Sequence, residues 1–278
     1  MSTTVQAPSA RADAMRATAA RRRGARLPRI LAAEIRSEFL KIARMPAYTI
    51  PVVAFPALFY GVFGLVFRSG RAGPAAAPMS AYLIATYGTF GVVGAALFGL
   101  GVGVATERGQ GWLTVKRASP MPAIAYFVAK VAMSMMFGAL IAVVLSLMGV
   151  VLGHVSMPAE RWIALVLTLV LGAAPFCALG CAIGYLVGPN SAPAITNLLY
   201  LPMALASGLW IPIEFLPGAI RAIAPALPPY HLSRLALSAI GADTSSAAGH
   251  VAALAGFTVL FVAIAVAAYR RDEGKTYG

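Results

Sequence analysis

Apolar residues run unbroken through this chain in six places. Tyr48–Phe67, Ala81–Ala105, Val131–Leu152, Trp162–Val187, Ala194–Pro212 and Val251–Tyr269 contain no Lys, Arg, Asp or Glu. Each run has 19 to 26 residues, and at about 1.5 Å per helical residue that length crosses a hydrocarbon core of roughly 30 Å. Backbone amides in lipid must be bonded within their own segment, so each run is predicted to be a helix. Pro51, Pro56, Pro175 and Pro202 are expected to kink some of them. The link Gly188–Pro193 is so short that the fourth and fifth runs make a tight hairpin.

Ahead of the first run, Leu27, Leu31, Ile35, Phe39 and Ile42 recur at helical spacing while Arg29, Arg36, Lys41 and Arg44 lie off that stripe. This predicts an amphipathic helix ending at Pro46, either lying in the membrane interface or packed as an ordinary helix outside it. Residues 1–26 are rich in Ala, Arg and Ser without the short apolar core and cleavage site of a signal peptide, and are expected to be a disordered basic tail. The expected organisation is therefore all-α and polytopic. One membrane domain covers residues 27–271, and a short tail covers residues 272–278.

Composition agrees. Of the 278 residues 60% are hydrophobic and 11% charged, against roughly 45–50% and about 25% in soluble domains. The net charge of +13 would suggest nucleic acid in a soluble protein; here it reports topology. Seventeen of the 22 Lys and Arg residues flank one side of the six runs and five the other, which predicts both termini on the cytoplasmic side of a prokaryotic plasma (inner) membrane. Trp162 and Trp210 then fall at the outer interface.

Catalytic equipment is missing from the pattern. His154, His231 and His250 are scattered along the outer segments, and no HExxH, GxSxG or paired-carboxylate arrangement occurs. Gly274-Lys275-Thr276 lacks the first glycine and the strand of a nucleotide-binding loop. Cys177 and Cys181 read as packing residues, and the glycine spacings within the first two runs read as close helix contacts. No cofactor or metal is expected on this chain. The runs also lack the intramembrane acids and histidines of a proton relay, so uphill transport would draw its energy from a partner.

Two stretches stand apart. The segment Thr106–Pro122 sets Trp112, Leu113 and Val115 beside Arg108, Lys116 and Arg117, with Glu107, Gly111 and Pro120 around them. It suits either a short amphipathic helix seated in a partner's groove or a loop lying on lipid. After the fifth run come Pro202, Ser207, Gly208, Pro212, Leu216 and Pro217, then Pro225, Pro228 and Pro229. These prolines forbid a continuous helix beyond about Ile211, yet Phe215, Leu216, Ile220 and Ile223 are too apolar for a solvated loop. Two broken helices dipping back into the outer leaflet, a re-entrant hairpin between spans five and six, fit both facts.

At these stretches the sequence resembles the permease subunits of ABC-2 type exporters. The first resembles that family's Glu-Arg…Gly…Leu…Pro loop, carried here by Glu107, Arg108, Gly111, Leu113 and Pro120, with Trp112 beside them. The second resembles its Pro…Ser-Gly…Pro…Leu-Pro signature. Lys116-Arg117 departs from the more apolar turn of many relatives. The resemblance implies a transport subunit without its own ATPase site. ATP and Mg would sit on a cytoplasmic ABC ATPase subunit docked at the first stretch, and a second permease copy would complete the membrane part. It also implies alternating access, an outer gate at the second stretch, and export of an amphipathic drug, lipid or lipid-linked saccharide. The alternatives are a non-transporting membrane scaffold or assembly factor, and a membrane enzyme acting on lipid; the latter would need acids or histidines clustered at one interface.

Overall fold

The computed structural model describes residues 28–64, 66–67, 70–72, 77–113, 115 and 122–273. The basic tail, Arg68, Lys116, Arg117, Pro120 and Lys275 lie outside the described residues. Within them the regular structure is helical, apart from a hairpin of two two-residue strands, β1 (Arg71–Ala72) and β2 (Ala77–Pro78).

Helix α1 spans residues 28–43, and α2 (Pro46–Phe59) follows after one turn and passes directly into a π-turn at Tyr60–Gly64. Pro46 opens α2, where its missing N–H costs nothing. Helix α3 runs continuously over Met79–Gly109, with a π-helical stretch at Leu97–Val102. Then come α4 (Ala123–Val151), α5 (Ala159–Leu171), α6 (Ala174–Leu186) and α7 (Ala192–Ala206). A 3-10 turn (Ile213–Phe215), α8 (Gly218–Ile223) and a second 3-10 turn (Ala224–Ala226) lead to α9 (Pro228–Ala239) and α10 (Ala247–Glu273).

Four of these stretches are long and apolar enough to cross a membrane: Met79–Gly109, Ile124–Val151, Ala159–Leu186 and Ala247–Asp272. The first and fifth expected spans are shorter helices, Thr49–Gly64 and Ala192–Ala206. The fourth span is not one uninterrupted helix. Its ladder breaks at Gly172–Ala173, because Pro175 has no N–H to continue it and Gly172 lets Leu232 of α9 press against the backbone. The fifth stops at Ala206, six residues before Pro212, and the cause is a glycine. The N–H of Gly208 reaches Leu205 O at 3.0 Å and that of Leu209 reaches Ala204 O at 3.1 Å, with Gly208 at φ +74. That is a Schellman C-cap, which turns the chain before any proline acts. Of the tail expected over residues 272–278, residues 272 and 273 belong to the end of α10, and residues 274–278 lie outside the described residues.

Helix α3 is the hub. Every residue from Met79 to Ala96 is buried, whereas most of α10 faces outward. Gly88, Gly91 and Gly94 recur every third residue, and a side chain there would overlap Leu169, Ile141 and the Tyr200 hydroxyl in turn, at 2.8, 2.6 and 2.7 Å. Small residues let neighbouring helices approach closely, and in a membrane that van der Waals contact holds helices together, since lipid tails are as apolar as leucine. The Tyr200 hydroxyl donates to Phe90 O at 2.7 Å and its ring stacks on Phe90. Cys177 and Cys181 are free and buried.

Candidate functional site

The segment Thr106–Val115 leaves the bundle at the end where α3 finishes and α4 and α7 begin. Its first residues do not point away from the protein. Lys130 of α4 donates to Glu107 Oε1 of α3 and to Glu38 Oε2 of α1, both at 2.8 Å. Lys41 of α1 donates to Glu38 Oε2 at 2.7 Å and to Glu107 Oε1, while the Tyr126 hydroxyl donates to Glu107 Oε2 at 2.6 Å. Among the described residues, two lysines and two carboxylates thus form a charge-paired cluster that locks three helices together.

Local geometry brings these groups round. Glu38 and Lys41 are i, i+3 on α1, and Tyr126 and Lys130 are i, i+4 on α4, so each pair shares a helix face. Lys130 is 1% exposed and Glu38 3%. Burial by itself would raise the Glu38 carboxyl, but Lys130 and Lys41 override it and hold its pKa at about 2. Burial likewise opposes the charge on Lys41, yet Glu107 and Glu38 raise its pKa. Removing one member would strand a buried charge.

Arg108 makes a second tie. Its guanidinium donates to the carbonyl of Tyr185, and to that of Val187 at 2.7 Å, and lies 3.6 Å from Asp272. The first two are carbonyls of the last turn of α6 and of the residue that follows it, which the helix itself leaves without partners. Arg108 therefore caps α6 and joins it to the end of α10.

Beyond Arg108 the chain turns outward. Gly111 takes φ +75 and its N–H bonds Arg108 O at 3.1 Å. Leu113 is buried with Val104, Tyr126, Tyr185 and Ala268. Trp112 and Val115 stand free, 55% and 62% exposed. An anchored leucine flanked by an exposed tryptophan and valine is an apolar projection on a held base.

The proline-rich motif lies at the other end of the bundle. Ser207, Gly208, Pro212 and Leu216 are buried, and Pro202 and Pro217 exposed. The Tyr87 hydroxyl donates to Trp210 O at 3.3 Å, tying α3 to the turn. Two apolar cavities open nearby on the α2–α3–α7 side. One, of 340 Å³, is lined by Pro51, Phe55, Phe90, Phe98 and Tyr200. The other, of 420 Å³, is lined by Phe59, Phe63, Tyr87, Trp210 and Phe215.

Sequence reasoning missed several of these partners. Glu38 lies among Ile35, Phe39 and Ile42 on the buried side of α1, and that one acid on an apolar stripe was the available signal. Lys130 stands just before the third apolar run, Val131–Leu152, yet sits two turns inside α4. The histidines are not all scattered, because His231 Nδ1 and His250 Nδ1 meet at 2.9 Å. With His231 Nε2 facing Pro225 O at 2.9 Å and Ser245 Oγ facing His250 Nε2 at 3.1 Å, they link α9 to α10. Among the described residues no three His, Cys, Asp or Glu converge as metal ligands.

A family model described as ABC-2 type transporter matches residues 31–241. "Putative transport permease YvfS" of Bacillus subtilis (strain 168) is 29% identical over 195 residues, covering 70% of this chain and 79% of the relative.

Proposed function

Because this chain belongs to the ABC-2 type transporter family, as a multi-pass membrane permease without an ATPase domain of its own, we propose that it is the membrane half of an ATP-driven exporter for amphipathic molecules. The family implies an ABC ATPase partner. The observation that carries the docking surface is the exposure of Trp112 and Val115 on a base tied to five helices.

In this reading the charge asymmetry puts the projection in the cytoplasm, where it enters a groove of the ATPase that holds Mg and ATP. Trp112 contributes the contact. Glu107 and Arg108 carry the movement onward: displacement of the loop pulls on α1 and α4 through the lysine cluster, and on α6 and α10 through the Arg108 cap. Helices α2 and α7 serve as the first and fifth spans of a six-span bundle centred on α3, with α1 in the interface. A second copy of the permease completes the pathway, and the Gly208 turn with its prolines shapes the outer gate. The aromatic cavities beside α3 accept the apolar part of a drug, a lipid or a lipid-linked saccharide, which alternating access releases outward.

The test is Trp112→Ala in the complex with its ATPase. The variant should insert and melt like the wild type while losing most ATPase co-purification or ATP-driven export. Full export with a full complement of ATPase would place the loop on lipid instead.

A further inference from the structure

At the proline-rich end lies a cavity with several polar groups in its wall that transport as described above does not use. It measures 490 Å³ and is bounded by Ser80 of α3, by Gly153, His154 and Ser156 after α4, by Arg161 of α5 and by Ile240 after α9. No Asp or Glu lines it among the described residues. Arg234 nearby is neutralised by Asp243 at 2.9 Å. Arg161, an exposed residue in the cavity wall, by contrast gives one N–H to Ile240 O at 3.2 Å and pairs with no carboxylate among the described residues.

That guanidinium is held in place. Gly241 takes φ +79, and a side chain there would meet Arg161 Nη1 at 3.0 Å and Cζ at 3.2 Å, so the planar head lies against bare backbone. His154 is the one non-glycine residue with positive φ, +50, among the described residues. Such backbone persists where the surroundings enforce it, and it gathers at binding sites. An independent sign comes from Tyr60, in the π-turn of α2. Its side chain is 0% exposed and its hydroxyl has no hydrogen-bond partner. It sits directly behind the cavity wall, where a Cβ on Gly153 would overlap it. An exposed cation resting on backbone, an exposed imidazole and the buried Ser80 line a space without acids among the described residues, and an unanswered hydroxyl stands behind its wall.

We propose that this cavity binds a phosphate-type oxyanion, with Arg161 as the bidentate donor and His154 and Ser80 completing the cradle. A planar guanidinium fork matches two oxygens of such a group. A lipid phosphodiester headgroup and free inorganic phosphate present the same chemistry.

The full chain in a phosphate-free maltoside detergent should be titrated separately with phosphatidylglycerol and with inorganic phosphate. Tryptophan fluorescence, with Trp162 adjacent to Arg161, and the melting midpoint are the readouts. A saturable response to at least one probe is expected, weakened about tenfold or more in Arg161→Gln. Arg221→Gln, outside the cavity, should respond as the wild type does. Should Arg161→Gln fail to fold, His154→Gly carries the test: it relieves the positive φ, so it should melt no lower than the wild type without ligand, yet bind several-fold more weakly. A response to phosphatidylglycerol alone identifies a lipid headgroup site, and a response to both probes identifies a site for the phosphate group itself. No saturable response, or undiminished affinity in the cavity variants, overturns the proposal. None of these readouts depends on the ATPase, so they stand apart from the export reading.

Discussion

At the residue scale, Glu107 and Trp112 differ in kind although they are five positions apart. Glu107 is spent on Lys130, Lys41 and Tyr126 within the chain, so its removal should loosen the bundle and not merely detach a partner. Lys130 is the sharper probe. Lys130→Met would leave Glu38 and Glu107 with Lys41 as the remaining cation among the described residues, and breaking a buried pair from one side costs about 3–5 kcal/mol. The melting midpoint in detergent should fall accordingly, while Trp112→Ala stays near the wild type. The same cluster predicts an acid limit. Glu38 ionises at about 2 when folded against a reference of 4.5. A depressed carboxylate contributes stability above its unfolded pKa and loses it as pH falls through the folded one. Stability measured between those two values should therefore decline in the wild type more steeply than in Glu38→Gln, whose neutral amide does not titrate; parallel curves would count against the ionised cluster.

At the element scale, the turn after α7 rests on one backbone conformation. Gly208 at φ +74 closes the Schellman cap, and a Cβ there would sit 3.0 Å from Ile213 Cβ. Left-handed backbone costs a residue with a side chain about 1–2 kcal/mol, and the contact with Ile213 adds to it. Gly208→Ala should lower the melting midpoint and shift Trp210 fluorescence. Gly218→Ala is the matched control: it opens α8 in open space with no atom near its Cβ, so it should be neutral or mildly stabilising. The helix break at Gly172–Ala173 and the early stop at Ala206 have one lesson. Both follow from what happens to a few backbone N–H and C=O groups, and hydropathy averaged over a run does not register them.

At the scale of the whole molecule, orientation is the statement on which docking depends. A chain with Cys177 and Cys181 replaced, which is tolerable because small buried side chains have close substitutes, should carry single cysteines at Gln110 and Ser246. Both positions are exposed. Membrane-impermeant maleimide on intact cells should label position 246 and spare position 110 until the cells are opened. Labelling of position 110 from outside would reverse the topology and remove the loop from the reach of any cytoplasmic ATPase.

Several features needed nothing beyond the order of residues. Long apolar runs become helices because lipid offers the backbone no other partner. The prolines after Pro202 exclude a continuing helix, and the two motif stretches carried the family. The side of α1 that faces the bundle was legible as well, since Ile35, Phe39 and Ile42 are apolar where Arg29, Arg36 and Arg44 are not, and Ile42 is buried. Tertiary structure alone decided which helix is central: α3 and α10 are both apolar on every face, so no periodicity separates the buried one from the exposed one. It also decided the charge partners, because Glu38 and Lys130 are 92 residues apart, and Glu107 and Lys41 are 66 apart. Electrostatic pairing depends on distance in space, and only the packing of α1, α3 and α4 brings those charges within reach of one another.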